Sequence, residues 1–151
     1  MTARGRSEPR AVQFSVFLAN RVGQLKELLE AFSQRDVDVL GLSVVDSTDW
    51  AVIRVVLANP EKAREVFQSN SFPFTESDVL LVELAGEIAL STICSLLVAT
   101  EISIHFAYPL ILRLGGSPVM VLHVDNIVLA RHTLAKHGAR LLSDEDLSDL
   151  S

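Results

Sequence analysis

The sequence predicts an α+β protein in which one β-α-β-β-α-β unit is laid down twice, each unit an antiparallel sheet with its helices on one face. Three observations carry this reading. Short aliphatic, β-rich runs alternate with stretches of helical spacing along the whole chain. Leu90, Ile93 and Leu97 repeat the spacing of Leu25, Leu28 and Phe32, each 65 positions on (25 to 90, 28 to 93, 32 to 97), and self-similarity at a fixed offset marks duplication. Hydrophobic residues make up 49% of the 151 residues and charged ones 21%, so there is enough apolar material for a packed core. With aromatics at 6%, that core must be mostly Leu, Val and Ile.

Residues 1–11 read as a tail, with Arg4, Arg6 and Arg10 a solvated basic cluster. The first unit spans 12–77. Val12–Leu18 alternates as a strand, and Asn20-Arg21-Val22-Gly23 turns into a helix whose Leu25, Leu28, Leu29 and Phe32 share one face. Asp36 and Asp38 punctuate its exit. Val37–Val45 is the second strand, Asp46-Ser47-Thr48-Asp49 a polar hairpin and Trp50–Leu57 the third strand. Asn59-Pro60-Glu61 is a capped helix start, because Asn accepts from the first turn and Pro there forfeits no hydrogen bond. Ala63, Val66 and Phe67 form that helix's buried stripe, and a short edge strand near Phe74–Glu76 closes the unit.

The second unit spans 78–147. Asp78–Leu84 is a new strand, Gly86 lies in the following turn, and the helix of Leu90, Ile93 and Leu97 follows. Ile102–Leu112 and Pro118–Val124 pair across a hairpin at Leu114-Gly115-Gly116-Ser117. Asp125 caps a helix carrying Ile127, Ala130, Arg131 and Leu134, Gly138 stops it, and Ala139–Leu142 is the last strand. The acidic stretch from Asp144 through Asp149 reads as solvated, and 148–151 as a tail.

Composition excludes several classes of function. The net charge is −6 with no basic stripe, so a nucleic-acid surface is not expected. Cys94 is the single cysteine, which rules out an internal disulfide framework or zinc cluster and suits a reducing compartment. No apolar stretch follows the N-terminal charges as in a signal peptide, and the longest apolar runs are too short to span a bilayer. A soluble cytoplasmic protein without membrane attachment is expected.

Alternate residues of the middle strands are apolar on both sides. Val37 and Val39 occupy one face of the second strand and Leu40, Leu42 and Val44 the other, while Ile102, Ile104 and Phe106 share a face later. Helices cover only one face of such a sheet. The second face therefore predicts a partner, with a homodimer expected. The alternative is that the two units cover each other within one chain.

No catalytic set emerges. His105 and His123 lie in apolar strands, and His132 and His137 are five apart, which does not align two ligands on one helical face. No metal site and no cofactor are expected. Cys94 reads as a buried inert thiol, Gly115-Gly116 as a hairpin without the residues of a phosphate loop, and Ser91 and Ser95 have no base beside them. One signal remains. Asn20-Arg21-Val22-Gly23-Gln24 joins a strand to a helix start, where free N–H groups and partial positive charge attract a carboxylate. Gly23 lets a ligand approach the backbone, and the Asn20 amide can orient it. A purely structural turn uses the same residue types.

These residues carry a family resemblance. The run Phe14-Ser15-Val16-Phe17-Leu18-Ala19-Asn20-Arg21-Val22-Gly23-Gln24-Leu25 resembles the opening of an ACT domain, with its Asn-x-x-Gly-x-Leu. Ala31–Val39 is similar to the first domain of the acetolactate synthase regulatory (small) subunit, which has a comparable Phe-Ser-x-Arg segment. The second half, from Val79 to the ending Gly138–Leu147, resembles the second unit of stand-alone tandem ACT proteins, so the likeness covers about 12–147. It implies ferredoxin-like units that pair, and amino-acid effectors held between the strand–helix loop of one unit and the second strand of its mate. Carried over by position, the ligand-binding residues are Asn20, Arg21, Val22, Gly23 and Gln24, with Asp38 on the second strand. Asn is common where Asp38 stands, and a carboxylate there can hold a ligand's ammonium. In the second unit Ala85-Gly86-Glu87-Ile88 lacks the Asn, Glu87 would repel a carboxylate, and Ser103 takes the second-strand position, so that unit is expected to be architectural. The resemblance implies a non-catalytic regulator that binds an amino acid, with a biosynthetic enzyme subunit as partner in a branched-chain, acetolactate synthase-like pathway. The alternative is an ACT module that only dimerises or docks onto an enzyme.

Overall fold

The computed structural model describes residues 9–19, 23–111 and 116–148. Asn20, Arg21 and Val22 of the expected loop, Arg4 and Arg6, and Gly115 of the second hairpin lie outside them. The elements are β1 (Ala11–Ala19), α1 (Gln24–Gln34), β2 (Val39–Asp46), β3 (Trp50–Leu57), α2 (Pro60–Ser69), β4 (Phe74–Glu83), α3 (Leu90–Ala99), β5 (Ile104–Pro109), β6 (Val119–Val124), α4 (Ile127–Lys136), β7 (Leu141–Leu142) and α5 (Asp144–Ser148). The β-α-β-β-α-β order thus occurs twice, as the sequence predicts. Ala11, expected in the tail, opens β1, and Ser148, also expected in a tail, closes α5.

The expected edge strand at 74–76 and the new strand at 78–84 are one strand, β4, and the boundary expected between 77 and 78 falls inside it. Its first part pairs antiparallel with β1, from Phe74 opposite Val16 to Val79 opposite Ala11. Its second part pairs with β6, from Leu80 opposite Leu122 to Glu83 opposite Val119. Strand β7 continues the line of β1 along the same strand, opposite Leu81 and Val82. The two sheets therefore fuse into one of seven strands, in the order β2-β3-β1-β4-β6-β5 with β7 beside β4.

Each unit packs its own helices on one face of this sheet. In the first, Phe14, Val16, Ile53 and Val55 meet Leu28 and Phe32 of α1 and Ala63, Val66 and Phe67 of α2. The rings of Phe14, Phe32 and Phe67 meet edge to face, with centroids 5.2–5.4 Å apart. In the second, Leu80, Val82, Leu122 and Val124 meet Ile93, Leu97, Ala130 and Leu134. Arg64 of α2 forks onto Glu76 of β4 at 2.7 and 2.8 Å, and that bond holds the Glu76 carboxyl below its usual range. The fourth helix is capped by Asn126, whose side chain accepts from Leu129 N–H, whereas Asp125, the expected cap, accepts from Ser103 N–H.

The opposite face of the sheet is buried within the chain. Ala11, Leu40, Val56, Val79, Leu81, Tyr108, Leu110, Val119, Val121, Leu142 and Leu147 form a third core there. The sheet curls until its two outer strands meet: Gly41 bridges Leu110, and Ile111 N–H donates to Leu40 O at 2.6 Å. Of the two ways the sequence offers to cover this face, the units covering each other is the one found. One buried polar pair lies inside the curl, where the Tyr108 hydroxyl donates to Gln13 Oε1 at 2.6 Å. Burial raises the Tyr108 pKa.

The face assignments of β2 and β5 are corrected by two bulges. Register shifts between Val39 and Gly41 and between Ile104 and Phe106, positions again 65 apart. A bulge adds one residue and reverses the alternation beyond it. Leu42 thus joins Val39 on the helix side while Leu40 faces the curl, and Ile102 and Ile104 part from Phe106 in the same way. The phase of α3 corrects another expectation: Ile93 and Leu97 point inward, so Cys94 is exposed and Leu90 largely so.

The acidic end is a docked turn of helix. Asp144 N–H donates to Arg10 O at 2.9 Å, Asp144 Oδ1 accepts from Val12 N–H at 3.3 Å, and Leu147 is fully buried. Chiefly through burial, the half-buried Asp144 carboxyl has its pKa raised to about 6.

Two outcomes follow from this packing. A Cβ on Gly41 would stand 2.8 Å from Leu110 Cδ2 and 3.4 Å from Tyr108 Cε2, so Gly41→Val is expected to cost about 2 kcal/mol in urea unfolding; an unchanged midpoint would mean that the outer strands do not meet there. The folded chain keeps the Asp144 proton that the unfolded chain loses between about pH 4 and pH 6, so this group's contribution falls as pH rises through that window. After allowance for solvent screening, Asp144→Asn is expected to be about 1 kcal/mol more stable than wild type at pH 7 and equal near pH 3. Parallel stability–pH profiles would contradict this.

Candidate ligand-binding site

The start of α1 differs from those of α2 and α4. Asn59 and Asn126 cap those two helices, accepting from Lys62 and Leu129 N–H. Gly23, at the N-cap of α1, has φ +94°, a left-handed backbone that favours glycine, and no described side chain caps the helix there. Among the described residues nothing lies within 4 Å of the place a Cβ would occupy. The first hydrogen bond of the helix runs from Glu27 N–H to Gly23 O at 3.0 Å, which leaves the N–H groups of Gln24, Leu25 and Lys26 for water or a ligand. The Gln24 side chain turns back, its Oε1 accepting from Ala19 N–H at 3.1 Å, and ties the end of β1 to the helix start.

A cleft of about 500 Å³ lies beside this mouth. One flank of α1, with Gln24, Glu27, Glu30 and Gln34, forms one wall; Phe17, Ala19, Trp50 and the Asn70–Pro73 turn form the others. Among the described residues two carboxylates, Glu27 and Glu30, line it, and their field favours an ammonium group. Lys26 reaches Glu30 only from outside, at 4.0 Å between exposed side chains. Trp50 is 55% exposed and offers a ring face. A smaller cleft of about 210 Å³ shares Gln24 and Ala19 and opens toward Val44 and Asp46.

Asp38 is not brought to this mouth within one chain. It is exposed on the short link between α1 and β2, its carbonyl accepting from Ala58 N–H at 3.1 Å. It lines a separate cleft of about 270 Å³ with Ser33 and Asp36. Gly23 and Asp38 flank opposite ends of the 11-residue α1, a helix about 16 Å long. Of the expected ligand residues, then, the structure brings Gly23 and Gln24 together, sets Asp38 apart, and does not describe Asn20, Arg21 and Val22. Glu27, Gln34, Trp50 and Asn70 were not singled out from the sequence. The signals were present in part: Glu27 is one helical turn from Gly23, and Trp50 adjoins the polar hairpin.

The second unit's counterpart is built differently. At the start of α3, Thr92 Oγ1 accepts from Ala89 N–H at 3.4 Å and donates to Glu87 O at 3.3 Å. The Thr92 side chain thus satisfies the N–H of the N-cap residue, with Glu87 in the same turn, and no described side chain caps the first-turn N–H groups of this helix either. Among the described residues no group of three or more His, Cys, Asp and Glu side chains can hold a metal, and no described helix is long and apolar enough to cross a membrane.

Comparison with known proteins agrees with this architecture. Residues 10–151 match a family model described as an ACT domain pair. No curated protein matches the chain. Among solved structures, protein BT0572 from Bacteroides thetaiotaomicron superposes with a TM-score of 0.83 at 23% identity, over 93% of this chain and 97% of that one. The ligand-free regulatory subunit of aspartate kinase from Thermus thermophilus gives 0.57 at 10% identity, over 84% and 91% of the two chains. The regulatory subunit of aspartate kinase from Thermus flavus gives 0.56 at 11%, over 86% and 93%. At these identities the likeness is one of fold.

Proposed function

The chain belongs to the family of ACT domain pairs, and on that footing we propose that it is a non-catalytic regulator that binds a free amino acid at the mouth of α1. The observation that carries this reading is a helix start at Gly23 that no described side chain caps or covers, next to Gln24 on the wall of the 500 Å³ cleft. The free N–H groups and the helix dipole attract a carboxylate. Glu27, one turn further on, lines the cleft where an ammonium group would be held. The two ends of a zwitterion thus find opposite partial charges on one helix. Regulatory subunits of aspartate kinase share the fold, which supports an effector role in amino-acid biosynthesis. The likeness of Ala31–Val39 to the acetolactate synthase small subunit favours a branched-chain pathway within it.

Asp38 enters this reading only through a second unit. Because α1 separates it from Gly23 in one chain, a carboxylate at the start of β2 reaches the mouth only from a paired copy, and a homodimer with the ligand between units is proposed. The free end of the β2–β3 hairpin is a surface for such pairing, with Val44, Val45 and Trp50 each more than two-fifths exposed. The same patch favours a second reading, in which the pair of units serves only to dimerise or to dock onto an enzyme subunit, and no ligand binds.

Thermal unfolding with each free amino acid separates the two. Ligand at about 100 times its dissociation constant adds roughly 2.7 kcal/mol, a rise of several degrees for a chain of this size. One amino acid, or a small group of related ones, is expected to give that rise. Gly23→Asp, which places a carboxylate at the mouth, is expected to abolish it. No rise with any amino acid, or a rise that survives Gly23→Asp, would count against the site.

A further inference from the structure

Pairing of β5 with β6 unites two histidines that stand 18 positions apart in the sequence. The bulge between Ile104 and Phe106 sets His105 beside His123, and their Nδ1 atoms lie 3.0 Å apart. We propose that His105 and His123 form a two-imidazole site for a divalent first-row transition ion, Cu²⁺ or Ni²⁺ in preference to Zn²⁺, with water completing the coordination shell.

The separation of the two nitrogens supports this choice. Metal–imidazole bonds are about 2.0–2.1 Å long, so nitrogens 3.0 Å apart subtend about 95° at a shared ion. That is close to the right angle between neighbouring ligands in the tetragonal shells of Cu²⁺ and Ni²⁺, and tighter than a tetrahedral Zn²⁺ site prefers. One of the two rings is also held in advance. The His123 ring stacks on Phe106, with centroids 4.7 Å apart and planes within 9°, and the Arg54 guanidinium covers Phe106 at 3.9 Å. His105 is exposed and His123 half-buried, so an ion would keep open positions to solvent.

In the metal-free pair one Nδ1–H donates to the other Nδ1. On binding, the donor ring moves that proton to Nε2 and both Nδ1 lone pairs face the ion, with no net proton release. Arg54 opposes a dication, while the net charge of −6 draws cations to the chain. No third His, Cys, Asp or Glu joins the pair among the described residues, so two imidazoles carry the binding.

Titration of the full chain with Cu²⁺, followed by electron paramagnetic resonance, tests the site. One bound ion with nitrogen hyperfine structure is expected. It should be lost in His105→Ala and in His123→Ala, with circular dichroism confirming that both variants fold, and kept in a His132→Ala, His137→Ala double variant. Arg54→Gln should tighten binding several-fold by removing the opposing charge. Absence of bound Cu²⁺ in the wild type would overturn the proposal. So would retention of the ion in the His105 and His123 variants.

Discussion

Strand β4 carries the backbone pairing of both halves of the chain, with β1 along its first six residues and β6 along its last four, so neither half completes its sheet without the other. Two four-stranded sheets become one of seven, and its curl follows from joining twisted strands end to end along one shared strand. The curl buries the face that helices leave open, and Gly41 eases closure because a Cβ there would crowd the end of the Leu110 side chain. Bulges at equivalent points of β2 and β5 turn those strands so that Leu40, Tyr108 and Leu110 face the interior.

Once both faces of the sheet are buried, the surfaces left for function are the helix starts and the strand ends. The duplication gives two such starts, and their residues have diverged. At α1 the mouth has Gly23, no described side chain caps it, and a cleft lies beside it. At α3 the Thr92 hydroxyl ties the Ala89 N–H to the Glu87 carbonyl, and Glu87 adds a negative charge to that turn. A regulatory domain needs only one such mouth to sense a ligand, and the other unit then serves to complete the core. In the proposed site the helix start would hold a carboxylate while Glu27 and Glu30 along its flank would hold an ammonium group.

Much of this architecture was legible in the sequence. The 65-residue repeat announced the duplication, and the spacing of Leu28 and Phe32, and of Ile93 and Leu97, located the inward helix faces. Fusion at β4 was not legible, because the polar run Thr75–Asp78 reads as an interruption when its pairing with β1 is unknown. The bulges were invisible for a related reason: strict alternation assigns Leu40 and Leu42 to one face, and only the extra residue separates them. The docked end at Asp144 escaped notice because its partners, Arg10 and Val12, are more than 130 residues away. At the site, residue type and spacing picked out Gly23 and Gln24. Trp50 and Asn70 reach the cleft through tertiary packing that no local pattern records.

The contrast between the two helix starts is tested most directly by backbone amide chemical shifts in an isotope-labelled chain titrated with the amino acid that stabilises it. The amides of Gly23 to Glu27 are expected to move strongly and to saturate together, while those of Ala89 to Thr92 stay in place. Shifts centred on Ala89–Thr92, or divided equally between the two starts, would contradict an asymmetric pair in which only the first mouth binds.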